Sequence, residues 1–365
     1  MRISMSLSIV ASALFGAMVA AAEPESPASA GRERSLSNIV QLTSGFEKAG
    51  EAYFSPDMNW IIFQATPKGQ TQYQMFVARL KREQGEITGL ETPTRLSPEV
   101  SRNTCGYFSP DGKSIIFAST AGKEKPDEPT SGYQREGGNY RWAFPNGMEI
   151  YRFDGWREAV AKAGNGGAVD LAKHALTNNN VYDAEGAFSP DGKWICYTSK
   201  ENDNLDVYVM KSDGTGKVRI TTAPGYDGGP FFSPDGKRLV FRSDRKGNNL
   251  LQIFVGDLAF DAAGNITGLK EEHQITDDGN VNWGPYWHPD GRHIIYATSK
   301  HGHTNYELYL MRDDGSHQTR ITYSPGADVL PVFSPDGKYL MWTSKRSKDQ
   351  TSQVFVAKFA MPKEE

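Results

Sequence analysis

Cysteine is nearly absent: the 365-residue chain carries two, Cys105 and Cys196. No cysteine-based zinc motif can be built from them. Neither sign of charge dominates, with 40 Lys and Arg against 44 Asp and Glu. That balance leaves no electrostatic footprint for nucleic acid and no basic block for a membrane surface. Also missing are a Gly-x-Ser-x-Gly nucleophile elbow, a phosphate-binding loop and a dinucleotide fingerprint, which argues against serine-hydrolase, nucleotide and dinucleotide chemistry. The one apolar run, residues 9–22, is too short to span a bilayer comfortably.

That run instead follows a basic start at Arg2 and ends in Ala20-Ala21-Ala22, the pattern of a cleaved secretory signal over residues 1–22. No cysteine lies near the cleavage point, so a lipid anchor is not expected. Residues 23–37 form a Pro/Ala/Ser-rich leader expected to be disordered. A periplasmic or secreted protein follows. Such a protein can pair its cysteines, but the repeat places them in different blades, and two buried free thiols are expected.

What is abundant is glycine, with 37 residues, together with 11% aromatics, a mixture suited to turns and strands. Six segments repeat: Phe54-Ser55-Pro56-Asp57, Phe108-Ser109-Pro110-Asp111-Gly112, 188–192, 232–236, Trp287-His288-Pro289-Asp290-Gly291 and 333–337. The first has Met58 where the others have Gly, and the fifth has His288 in place of Ser. A second element, Leu42-Thr43, Leu96-Ser97, Leu176-Thr177, Ile220-Thr221, Ile275-Thr276 or Ile321-Thr322, precedes each motif with its Leu or Ile always 13 residues before the Ser or His. Fixed spacing repeated six times marks one supersecondary unit used six times.

Each unit reads as four strands. Strand A enters the Ser-Pro-Asp-Gly turn, B is the apolar run after it, C alternates with period two, and D carries the Leu-Thr pair. Pro presets the turn, Asp bonds nearby backbone and Gly takes positive φ. The sequence therefore predicts an all-β fold: a six-bladed β-propeller of four-stranded antiparallel blades over residues 38–360. The chain begins with a D-type element and ends with a C-type strand, so the N-terminal strand should complete the last blade, pairing 39–43 with 353–358 and removing the open sheet edges.

The Phe-Ser-Pro-Asp-Gly-Lys motifs, the hairpins at 208–214 and 309–315 and the Arg-Ile-Thr triplets at 219–221 and 320–322 resemble the PD40, or TolB-like, propeller repeats. The resemblance covers residues 39–359. It implies the propeller fold, and TolB itself implies a periplasmic partner of an envelope system. TolB carries an α/β domain before its propeller. The roughly 15 residues between signal and first blade leave no room for one, so a genuine Tol–Pal role is not expected.

In such a propeller the D–A and B–C connections share one face, and the D–A connections converge on the central channel. Six residues before each motif Ser or His288 stand Ala49, Asn103, Asp183, Asp227, Asn282 and Asp328. They read either as a polar ring for a divalent cation, sugar hydroxyls or amines, or as caps of the D–A turns. Glu51 and Glu185, four before the motif, add acidity. Blade 2 has the longest B–C loop: 42 residues separate Ser109 from the C-strand aromatic Tyr151, against 19 or 21 elsewhere. The insertion, 121–148, carries Tyr140, Arg141, Trp142 and Phe144, either a recognition loop or packing for the blade tops. Tyr182, Tyr226 and Trp283 on neighbouring D–A loops complete a candidate stacking platform.

His301 and His303 form an H-x-H pair in blade 5, a weak metal signal. His288 is expected to be structural. The expectation is a non-enzymatic, monomeric binding or scaffold module. Its partner is a protein, peptide or glycan at the D–A face, with no nucleic acid, no cofactor beyond a divalent cation in the channel, and no catalytic residue assigned. The alternatives are a metal-assisted polysaccharide lyase or other carbohydrate-active enzyme, and a structural envelope protein.

Overall fold

The computed structural model describes residues 33–98, 101–120, 132–136, 139–164 and 174–363. The expected signal segment and most of the leader lie outside them. Six antiparallel blades form a six-bladed propeller, each four-stranded except that the outer strand of the first is split into Glu86–Leu90 and Thr94–Arg95. Their A strands are Phe46–Phe54, Asn103–Phe108, Asp183–Phe188, Asp227–Phe232, Asn282–Trp287 and Asp328–Phe333. The ring closes as the repeat arithmetic requires. The strand Leu36–Gln41 pairs with Gln353–Phe359, matching Leu36 with Phe359 and Gln41 with Phe355. The pairing begins earlier than expected, and Glu33, assigned to the leader, is buried against Arg346 and the backbone N–H of Tyr323.

The repeated motifs explain why these residues fold this way. In the turn after strand A, the motif Ser hydroxyl donates to the Asp carboxylate at 2.5–2.6 Å. The same oxygen accepts the N–H five residues on, so one side chain ties both ends of the turn. The turn glycines sit at φ 68 to 71, and Met58 adopts φ 55 in their place. His288 substitutes a ring nitrogen for the hydroxyl, accepting the Asp290 N–H, and packs on Phe333.

The Leu-Thr element is a staple. In all six blades its hydroxyl oxygen accepts the N–H of the second residue of strand C at 2.8–3.0 Å. The neighbouring Leu or Ile is buried in five of the six copies, Leu42, Leu96, Ile220, Ile275 and Ile321, and half-buried at Leu176. Cys105 and Cys196 are buried free thiols, as expected.

Two features were not legible beforehand. The blade 2 insertion contains a hairpin, Gly132–Glu136 with Asn139–Ala143. A helix, Trp156–Ala163, follows strand C of blade 2. Trp156 and Val160, one turn apart, bury its apolar edge, and the Trp156 indole donates to Gly112 O of the turn beneath. Among the described residues no helix is long and apolar enough to cross a membrane.

Candidate functional site at the channel mouth

Every A strand carries the same irregularity. Its register with strand B slips between the residues five and two before the motif Ser or His288. Inside the slip, four before the motif, stand Glu51, Cys105, Glu185, Gly229, Gly284 and Leu330, all at φ between 47 and 61. A bulge with one left-handed residue re-aims the strand. Here it turns six symmetry-related positions into the channel, where all six line one cavity of about 280 Å³. Four of them are not glycine, and left-handed backbone at such residues is strained by about 1–2 kcal/mol each.

Two residues further on, Tyr53, Tyr107, Phe231 and Tyr286 cross the axis. Their rings meet at 4.9–6.3 Å, and the Tyr107 and Tyr286 hydroxyls lie 3.1 Å apart. This layer divides the channel. Below it lies a second cavity of about 300 Å³, walled by the six motif prolines and their neighbouring aromatics.

The upper cavity has a fixed charge centre. Glu185 accepts from Arg242 Nη2 at 2.7 Å, the Gly229 N–H at 2.7 Å, Thr198 Oγ1 at 2.6 Å and the Tyr226 hydroxyl at 2.9 Å. Four donors fill the acceptor capacity of a carboxylate. The glycine at position 229 makes this possible, because a Cβ there would lie 2.1 Å from Arg242 Nη1. Arg242 lies over the Tyr226 and Trp283 rings at 5.5 and 5.8 Å.

Glu51 differs. Burial pushes its carboxyl up to about 7, opposed by hydrogen bonds from Cys105 and Thr104 and reinforced by the charge of Glu185. The Thr104 hydroxyl also reaches Gln64 Oε1 at 2.8 Å, and a thiol is a weak donor. Burial, with Glu51 beside it, holds the Cys105 thiol well above its ordinary range. Lys48 lines the same cavity with its ammonium 4.3 Å over the Tyr73 ring.

The expected polar ring takes a different place. Asn103, Asp183, Asp227, Asn282 and Asp328 open their A strands at 0–2% exposure and do not line the cavity. Regular alternation would put them on the same face as the residues two further on, but the bulge between breaks it and they stay within the blades. Asn103 accepts from Ser119, Asp183 from Asn179, and Asp227 and Asp328 meet Arg245 and Arg346. Asn282 donates to Gln252 and Asp278. The channel-facing column is two residues later. Its sequence signal was a mixed column of Glu, Cys, Gly and Leu, of which Glu51 and Glu185 had been singled out.

Of the other candidates, Glu185, Tyr182, Trp283 and Phe144 do line the cavity. Phe144 packs on Tyr182 and Tyr226 at 4.9 and 5.0 Å, so the insertion reaches over the mouth. The side chains of Arg141, Trp142 and Tyr140 lie outside the described residues. His301 stacks on Tyr309 in blade 5 and takes no part in the lining, nor does His303. Among the described residues, Asp257, Glu271 and His273 bring ligand atoms within 4.8 Å of one another, but on strands C and D of blade 4 rather than in the channel.

Fold and mouth together define a closed six-bladed propeller with one walled polar port. The PD40 family profile, TolB beta propeller domain, matches residues 170–270 and 265–363, more than half of the chain. The chain belongs to that family. It is 37% identical over 76 residues to a Protein TolB homolog of Chlorobium luteolum, 21% of this chain and 16% of that protein. The chain spans between 9% and 22% of the length of five curated relatives it matches. The solved structure of a putative TolB from Agrobacterium tumefaciens superposes with a TM-score of 0.52 at 19% identity, over 86% of this chain and 91% of that one. An oligogalacturonate lyase from Vibrio parahaemolyticus superposes at 0.51 with 11% identity, over 84% and 76%. At such identities the likeness concerns the fold alone.

Proposed function

We propose that this chain is an exported recognition module that seats part of a peptide, protein or glycan partner in the channel-mouth cavity. The carrying observation is the cavity's construction. A saturated Glu185–Arg242 centre is framed by Trp283, Tyr182 and Phe144, a concave site of aromatic walls with few oriented polar groups. The wall residues come from the blade 2 insertion and from strands or loops of several blades, the arrangement expected of a site carried on a rigid scaffold.

A lyase acting on acidic sugars calls for unpaired cations near the reacting group. Here Arg242 is already engaged by Glu185, the Lys48 ammonium rests over the Tyr73 ring, and no histidine lines the cavity among the described residues. This favours binding over catalysis. The test is a screen of the mature chain against random peptides and a glycan array, repeated with Trp283→Ala. Ligands that bind the parent protein and lose at least about tenfold in affinity with Trp283→Ala support the module reading. Turnover of acidic oligosaccharides, or ligands indifferent to Trp283, overturns it.

A further inference from the structure

The two carboxylates facing the channel mouth are in opposite states of satisfaction. Glu185 has four donors, including a guanidinium. Glu51 has only the Cys105 thiol, a weak donor, and the neighbouring Thr104 hydroxyl, whose one proton goes to Gln64 Oε1. No cation is ion-paired with Glu51 among the described residues: Arg242 is held by Glu185, and the Lys48 ammonium rests on Tyr73. Glu51 is half-buried, and a partly desolvated carboxylate with unfilled lone pairs favours a donor, a charged one most of all.

The surroundings state what kind of donor fits. Tyr73, Phe144, Tyr182 and Trp283 line the same cavity. Ring faces attract cations, and more strongly where water is excluded. The strained φ of 47 at Glu51 aims this carboxylate into the channel instead of into the blade. Resting on the module reading above, we propose that the cavity recognises a primary ammonium, from a lysine side chain or a peptide amino terminus, with Glu51 as its counter-ion and the aromatic walls around its alkyl stem.

The groups facing Glu51 define the pH behaviour. Cys105 of blade 2, Glu185 of blade 3 and Arg242 of blade 4 act on it, with Tyr53, Tyr73 and Lys48 on its own blade. Burial holds its carboxyl at about 7. An ammonium binds the ionised form, so binding expels a proton below that value. Affinity should rise with pH between 5 and 7, by up to about tenfold per unit, and level off above.

The probes are Nα-acetyl-lysine methylamide, its Nε-acetylated form, and glycinamide as a source of an α-ammonium, each titrated calorimetrically and by tryptophan fluorescence at pH 5.5 and 8. The expected result is binding of the free-amine lysine probe that weakens at least tenfold on Nε-acetylation, at pH 5.5, or in Glu51→Gln. Glycinamide separates the two sources: binding by it assigns the terminus, and failure with the lysine probe bound assigns the side chain. Equal binding of the acetylated and free probes, or free-amine binding that Glu51→Gln leaves intact, overturns the proposal. If neither ammonium probe binds while peptides or glycans from the screen still require Trp283, the ammonium assignment fails and the module reading stands. If the screen also yields nothing, the module reading itself has failed.

Discussion

Arg242 Nη2 meets Glu185 at 2.7 Å across the seam between blades 3 and 4, with about a tenth of either side chain exposed. The pair ties two blades at the height of the channel mouth. Replacing Arg242 by Met leaves a buried carboxylate without its cation, which should destabilise the fold by about 3–5 kcal/mol. Adding Glu185→Gln should recover a large part of that loss. Urea unfolding of the two single variants and the double variant measures the coupling, and strictly additive losses would count against a tied seam.

The turn glycines make a second, graded test. Gly236 has φ 70, and a Cβ there meets only Pro190 at an ordinary 3.7 Å. Gly236→Ala should therefore cost only the left-handed strain, about 1–2 kcal/mol. Gly337 has nearly the same φ, but its Cβ would lie 2.9 Å from His288 Nε2. Gly337→Ala should cost more, and the excess should disappear in a His288→Ser background. Thermal melts of the four variants decide it.

Stability should peak at mildly acidic pH. Burial raises Asp183 and Asp227 to about 6, Glu51 to about 7 and Glu307 to about 8. Each binds its proton more tightly when folded, so the stability it confers is full below its unfolded pKa and is lost as pH climbs through 6 to 8. The turn aspartates Asp191, Asp235 and Asp336 run the other way. Partial burial opposes, but the motif serine hydroxyl and a backbone N–H hold them below the ordinary value. Their contribution fades on acidification below about pH 4. Urea midpoints from pH 3 to 9 should trace a dome centred near about pH 5; a steady rise to pH 8 would contradict it.

Both thiols should be unreactive in the native state. Cys196 is fully buried and Cys105 is 8% exposed, and burial raises both above the ordinary thiol range. A disulfide-exchange reagent should label neither at neutral pH within minutes and both in urea, since the thiolate is the reacting form. Fast labelling of Cys105 alone would show that the channel mouth opens readily.

The fold was legible because its signals are local and repeated. Ser55, Ser109 and their equivalents announce the turn by chemistry that needs no distant partner, and Thr43 reveals the closing strand by spacing alone. The site was only half legible. Asp183 and Asp227 drew attention as acids on convergent loops, but a bulge two residues later decides which side chain reaches the channel, and it leaves no residue type in common across six blades. The Glu185–Arg242 contact was hidden for a related reason: 57 positions separate the partners, and nothing in the spacing marks Arg242. The helix at Trp156–Ala163 spans barely two turns and followed a strand whose end the repeat pattern did not define.

The ring of Tyr53, Tyr107, Phe231 and Tyr286 has a consequence for traffic along the axis. Phe231 and Tyr286 form the floor of one cavity and the ceiling of the other. A solute entering at either end must leave by the same end, so the molecule is no conduit. Its two faces are separate ports, one polar and ionisable, the other proline-walled and apolar. Occupancy at one can reach the other only as a shift in the packing of these four rings, never by passage of the ligand itself.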